Sequence, residues 1–193
     1  MSSPETEANC TKAPLPADVN SRLLGIDGSL PGKNILILPT RSRNGVTHYL
    51  ADDVNALKMA ASVGLDVAYL IPSDERTYLE EYSADWALEL GLAVIQSITV
   101  EMATGIGSYL LARAKQAVAA GLHRGPATEV PVRLSLARYE RDQQGRVCIE
   151  NLKIEGGTKS VAAIVQELAK SIESDGTSRA ITQEGEPSSR EGT

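Results

Sequence analysis

Lys33-Asn34-Ile35-Leu36-Ile37-Leu38-Pro39 places a run of aliphatic residues between a polar entry and a proline. A run that is apolar on both faces predicts a central strand covered on both sides. The loop Thr40-Arg41-Ser42-Arg43-Asn44-Gly45 follows it. Beyond the loop, Val46, Leu50, Val54, Leu57 and Ala61 recur at helical spacing, which predicts a helix over residues 46–63 stopped by Gly64. A second strand is expected over residues 66–71, ending at Pro72. Strand, helix and strand in this order open a parallel α/β sheet with a right-handed crossover.

Downstream, Ser73 suits a helix N-cap, and Leu79, Tyr82, Trp86 and Leu90 form an apolar helical stripe. Residues 91–121 have two readings. The preferred one is a pair of buried helical segments broken near Gly105 and Gly107. The other is a strand over residues 94–102, a turn at Thr104-Gly105-Ile106-Gly107-Ser108 and then a helix. Val130, Val132, Leu134 and Leu136 alternate with Arg133 and Ser135, a half-buried strand. A turn at Asp142-Gln143-Gln144-Gly145 returns the chain into a strand with Val147, Ile149, Leu152 and Ile154. The apolar parity of that strand changes near Glu150-Asn151, which predicts a bulge or bend there. Thr158 caps a last helix with Val161, Ile164, Val165, Leu168 and Ile172 inside.

These elements predict a single mixed α/β (α+β) domain with a three-layer character. It comprises a short parallel β-α-β unit, a helical middle, a C-terminal β-hairpin and a last helix. Residues 1–22 and the acidic stretch 174–193 lack hydrophobic periodicity and are expected to be disordered tails around a domain at 23–173. The chain has 193 residues, 42% of them apolar, enough to bury a core without disulfides or metal. With no phenylalanine, that core must be aliphatic, with tyrosines and Trp86 as its large rings.

Charge narrows the function classes. The net charge of −6 argues against a nucleic-acid partner, which a basic surplus usually marks. Residues 88–112 are the most apolar stretch, but Gln96, Glu101 and small polar residues interrupt it, so no membrane association is expected. The N-terminus lacks the basic and apolar regions of a secretory signal. Cys10 and Cys148 form no framework and no C-x-x-C pair. Together these suggest a cytoplasmic protein.

Three segments are candidates for chemistry. Arg41, Arg43 and Gly45 lie in the loop after the first strand, where open α/β sheets usually bind ligands. Guanidinium and backbone N–H groups there suit a phosphate, so they are the candidate nucleotide-binding residues. The competing reading is an exposed polar turn. His48 and Asp52 would share a helix face, with Asp52 orienting His48 as a general base; an ordinary surface pair is the plainer alternative. Thr104–Ser108 would cradle a phosphate only if a strand precedes it.

The third segment is Ser83-Ala84-Asp85-Trp86-Ala87-Leu88-Glu89-Leu90-Gly91. Over these nine residues it resembles the TIR-domain pattern, in which a Ser, a Trp or Cys and then Glu-Leu lie on one helix, although Trp86 stands one position off. In NAD-cleaving members the Glu acts at the ribose, so the resemblance implies a catalytic Glu89. No metal-spaced cluster and no Ser-His-Asp order stands out, so neither a metal nor a resident cofactor is expected.

Two functions follow as expectations. One is a small non-catalytic binding or assembly module with a protein partner or a homo-oligomeric state. The order of a long helical region, a hairpin and a last helix is similar to small accessory components of bacterial conflict systems. The other is an enzyme cleaving a glycosidic bond in a nucleotide or NAD-like substrate, with Arg41 and Arg43 on phosphate, Glu89 at the ribose and His48 assisting.

Overall fold

The computed structural model describes residues 8–26, 34–80, 86–95, 97–141, 144 and 146–183. Strand β1 (Asn9–Lys12) and a short helix α1 (Ala17–Leu24) come first. The aliphatic run forms β2 (Ile35–Leu38), fully buried as expected. A hairpin of β3 (Arg41–Arg43) and β4 (Val46–Leu50) follows. A 3-10 turn over Ala51–Asn55 leads into α2 (Ala56–Ser62), β5 (Val67–Tyr69) and β6 (Tyr78–Leu79). Strand β7 (Leu88–Ile95) precedes the long helix α3 (Val100–Ala119). Strands β8 (Pro131–Arg141) and β9 (Val147–Gly157) form the second hairpin, and α4 (Thr158–Gln183) closes the described chain.

The main sheet has the order β1-β9-β8-β7-β2-β5. β2 runs parallel to β5, and β7 parallel to β8, with the other pairs antiparallel. A small sheet β3-β4-β6 stands beside it. The fold is thus a single mixed α/β domain in layers. Ile35 and Ile37 of β2 join Leu88, Leu90, Leu92 and Val94 of β7 in a core shared with α3 and α4. Leu36 and Leu38 turn to the opposite face, where Val19 and Leu23 of α1 cover them. That alternation is why β2 reads as an uninterrupted apolar run.

In α3, Thr99 caps the N-terminus by accepting a hydrogen bond from the Met102 N–H at 3.2 Å. Ala103, Ile106, Tyr109, Leu110, Arg113, Ala114 and Ala117 form its buried stripe. α1 is tied to the first hairpin by one carboxylate. Asp18 Oδ2 accepts from the Thr47 N–H at 3.0 Å and from its hydroxyl at 2.6 Å. Burial opposes the charge on Asp18, but the Thr47 hydrogen bonds outweigh it and hold the carboxyl below its ordinary value. Asp18→Ala should therefore cost about 1 kcal/mol, with Thr47 left buried without its acceptor. A group whose folded pKa is depressed stabilises above its unfolded value. The gap between wild type and Asp18→Ala, read by urea unfolding, should be full above about pH 5 and close as pH falls below about 4.

Several expectations are corrected. The helix over residues 46–63 is instead β4, a 3-10 turn and the shorter α2. Tyr78 and Leu79 are in β6 and Leu90 is in β7, so the helical stripe through them does not form; residues 81–85 lie outside the described residues. In residues 91–121 neither reading holds as drawn. The strand ends at Ile95, and α3 runs unbroken through Gly105 and Gly107. A Cβ on Gly105 would lie 2.7 Å from Leu65 Cδ1, so this glycine admits a close neighbour rather than a phosphate.

The β8–β9 register is continuous, so no bulge interrupts it. Parity changes because the two faces are covered at different ends. Val132, Leu134 and Leu136 pack under the helices, whereas Ala137 and Tyr139 pack on the α1 side; Ile154 and Ile149 repeat that exchange in β9. Residues 9–12 and 17–22, expected in a tail from their polarity, lie in β1 and in α1, which runs on to Leu24, because β9 offers β1 an edge and the sheet face offers α1 an apolar bed. α4 likewise continues to Gln183, into the stretch expected to be an acidic tail.

Candidate functional site

Asn44 and Gly45 have φ values of 55° and 78°, the left-handed pair that a two-residue hairpin turn requires. Asn-Gly is the dipeptide best suited to it, and this local chemistry folds Arg41–Leu50 back on itself. The Thr40 N–H donates to the His48 carbonyl at 3.2 Å, which pins the hairpin just beyond β2. Arg41 is thereby held over the start of β7.

There Glu89, 8% exposed, points away from the main core to the α1 side of the sheet. Its Oε1 receives Arg41 Nη2 at 3.0 Å and Arg133 Nη1 at 3.3 Å. Arg133 stands opposite Glu89 in the β7–β8 register, and Glu155 stands opposite Arg133 on β9. The next row carries Gly91, Ser135 and Lys153. One row further, Asn151 is buried, accepts from the Ser135 hydroxyl at 2.9 Å and donates to the Ala13 carbonyl at 3.1 Å. That bond holds the segment 13–16 against the sheet.

α1 covers only part of this face. The remainder is an open cleft of about 700 Å³, with the polar rows as floor and Pro14, Leu15, Pro16 and Pro39 among its walls. Its charged lining is Arg41, Arg133 and Lys153 against Glu89 and Glu155, a surplus of one positive charge. Such a volume suits a small molecule, and the cationic surplus suits an anion.

Arg41 and Glu89 thus meet in one ion pair, but Glu89 does so from a strand rather than from the helix that the TIR resemblance implies. The eight-residue β7 is buried on both faces, which removes the periodicity that would have marked it as a strand. Arg43 is exposed at the far end of β3, and Gly45 sits in the turn, so neither lines the cleft. His48 is in β4, with Nδ1 2.7 Å from Thr77 Oγ1, and is also outside the cleft lining. The expected helix-face pairing with Asp52 fails because His48 is on a strand. The Asp52 side chain lies outside the described residues. Arg133, Ser135, Asn151 and Lys153 were missed. Their signal was the polar half of two alternating strands, invisible as a site until the hairpin register aligns them.

A second polar group lies in the core. Arg113 donates to Asp53 Oδ1 at 2.9 Å and to the Tyr109 hydroxyl at 3.2 Å. The Leu50 N–H donates to Asp53 Oδ2 at 3.2 Å, and the Tyr69 hydroxyl donates to the Asp53 carbonyl. Burial opposes the charge on Arg113, but Asp53 and Tyr109 outweigh it and the group stays firmly protonated. Burial pushes the Tyr49 phenol up to about 12, and it raises Tyr109 as well. Asp53, Arg113, Tyr109 and Tyr69 satisfy one another and join α3 to the turn before α2, whereas the Tyr49 hydroxyl donates to the Ile37 carbonyl.

Among the described residues, no three His, Cys, Asp or Glu side chains are placed to hold a metal ion. Among them too, no helix is long and apolar enough to cross a membrane. Cys10 and Cys148 are exposed free thiols. Comparison of the chain with protein-family models, curated proteins and solved structures gives no match.

Proposed function

We propose that the chain is a non-catalytic binding module whose cleft takes a small anionic ligand of the nucleotide class. One observation carries the reading: Glu89, the candidate catalytic carboxylate, shares its Oε1 with two guanidiniums inside a cationic cleft. The Glu89 carboxylate is held in two ion pairs rather than presented to the cleft alone, and His48 is not at hand to assist. The cleft keeps what binding needs: cations, the hydroxyl of Ser135, and a wall of prolines for an apolar portion. Protein partners reached through residues 1–7 and 184–193 would engage segments outside the described residues.

A glycosidic-bond enzyme is the second reading, favoured by the meeting of Arg41 and Glu89 in one cleft. Thermal unfolding against a nucleotide panel including NAD and ADP-ribose, with mass spectrometry of the same samples, separates the two. A ligand at 100 times its dissociation constant adds about 2.7 kcal/mol of stability. Stabilisation with the ligand recovered intact is the expected result. Cleaved ligand selects the enzyme, and no stabilisation by any anion contradicts both.

A further inference from the structure

The Glu89 carboxylate occupies the place that an anion held by Arg133 would take. The two contacts are unequal. Arg41 approaches to 3.0 Å with its side chain 30% exposed, whereas Arg133 approaches to 3.3 Å and is 46% exposed. Both reach the same oxygen, Arg133 through Nη1, whereas a guanidinium pairs best when two of its N–H groups each have an oxygen of their own. We propose that Glu89 is a built-in occupant of the anion site, and that a phosphate-bearing ligand competes with it for Arg133. The inference rests on the cleft being a ligand site. A phosphate entering beside Lys153 would offer Arg133 two oxygens in place of one, with Arg41 left to neutralise Glu89. Glu89 then sets a threshold: it weakens anion binding in general and admits ligands whose remaining contacts with the cleft make up the loss.

The test is titration of inorganic phosphate and AMP into the intact chain and into Glu89→Gln, which keeps the shape and removes the charge. Removing a negative charge a few ångströms from the ligand should tighten phosphate binding about tenfold or more. Adding Arg133→Gln to that variant should abolish the gain. Glu89→Asp, which keeps the charge but draws it back by one methylene, should give a smaller gain and serves if Glu89→Gln does not fold. Wild type that binds AMP while Glu89→Gln binds it no better, or more weakly, overturns the inference and leaves the cleft a ligand site. Failure of both proteins to bind either probe overturns the cleft reading along with it. Binding of phosphate by Glu89→Gln alone supports the inference.

Discussion

Asp53→Ala should lower the unfolding free energy by about 3–5 kcal/mol, a large part of a domain's total stability. Asp53 and Arg113 have side chains only 4% and 3% exposed. Removing the carboxylate leaves a guanidinium in the core with Tyr109 as its other partner, and it leaves the Leu50 N–H without its acceptor. The cost comes from that uncompensated charge rather than from the worth of the pair. Replacing both residues, as Asp53→Ala with Arg113→Met, should therefore destabilise by less than the sum of the single changes. Urea unfolding of the two single variants and the double gives the coupling directly. Simple additivity would show that the pair does not act as a unit.

The second large effect is at Gly91. A Cβ there would lie 2.9 Å from Leu38 Cβ and 3.0 Å from both the Leu38 carbonyl oxygen and Thr40 Cγ2. Two of these atoms belong to backbone or to the base of a side chain and cannot swing away. Gly91→Val should cost about 1–3 kcal/mol by overpacking. Because Gly91 also lines the cleft between Thr40 and Ser135, the variant should lose ligand stabilisation at concentrations that saturate wild type. The sign is informative. On an exposed helix, replacing this glycine by alanine would stabilise by about 1 kcal/mol. On β7, against β2, Gly91→Ala should destabilise. Thermal melts with and without ligand read both effects.

Local patterns account for what the sequence made legible. The Ile35–Leu38 run, the alternation in Val130–Leu136 and the helical spacing from Val161 to Ile172 each identify an element by itself. β7 was hidden because the main core buries one of its faces while Gly91 and Ala93 lie buried on the other, so no alternation shows. β4 was hidden because Val46, Leu50 and Val54 mimic a helical stripe, while its buried residues are Thr47 and Tyr49. The Asn44-Gly45 turn was the available signal against that helix. Of the site, Arg41 and Glu89 were legible as chemistry but not as neighbours. Their meeting depends on a hairpin turn and on β2–β7 pairing, both non-local to Glu89. Arg133 and Lys153 look like solvent-facing strand residues until the sheet order brings them beside β7.

The central claim is that the cleft on the α1 side of the sheet takes a small anion. It is tested most directly by titrating AMP into the isotopically labelled chain and following backbone amide resonances. The account predicts saturable shifts concentrated at Thr40, Arg41, Gly91, Arg133 and Ser135, weakening as ionic strength rises. Absence of saturable shifts there, or shifts centred elsewhere on the surface, would contradict it.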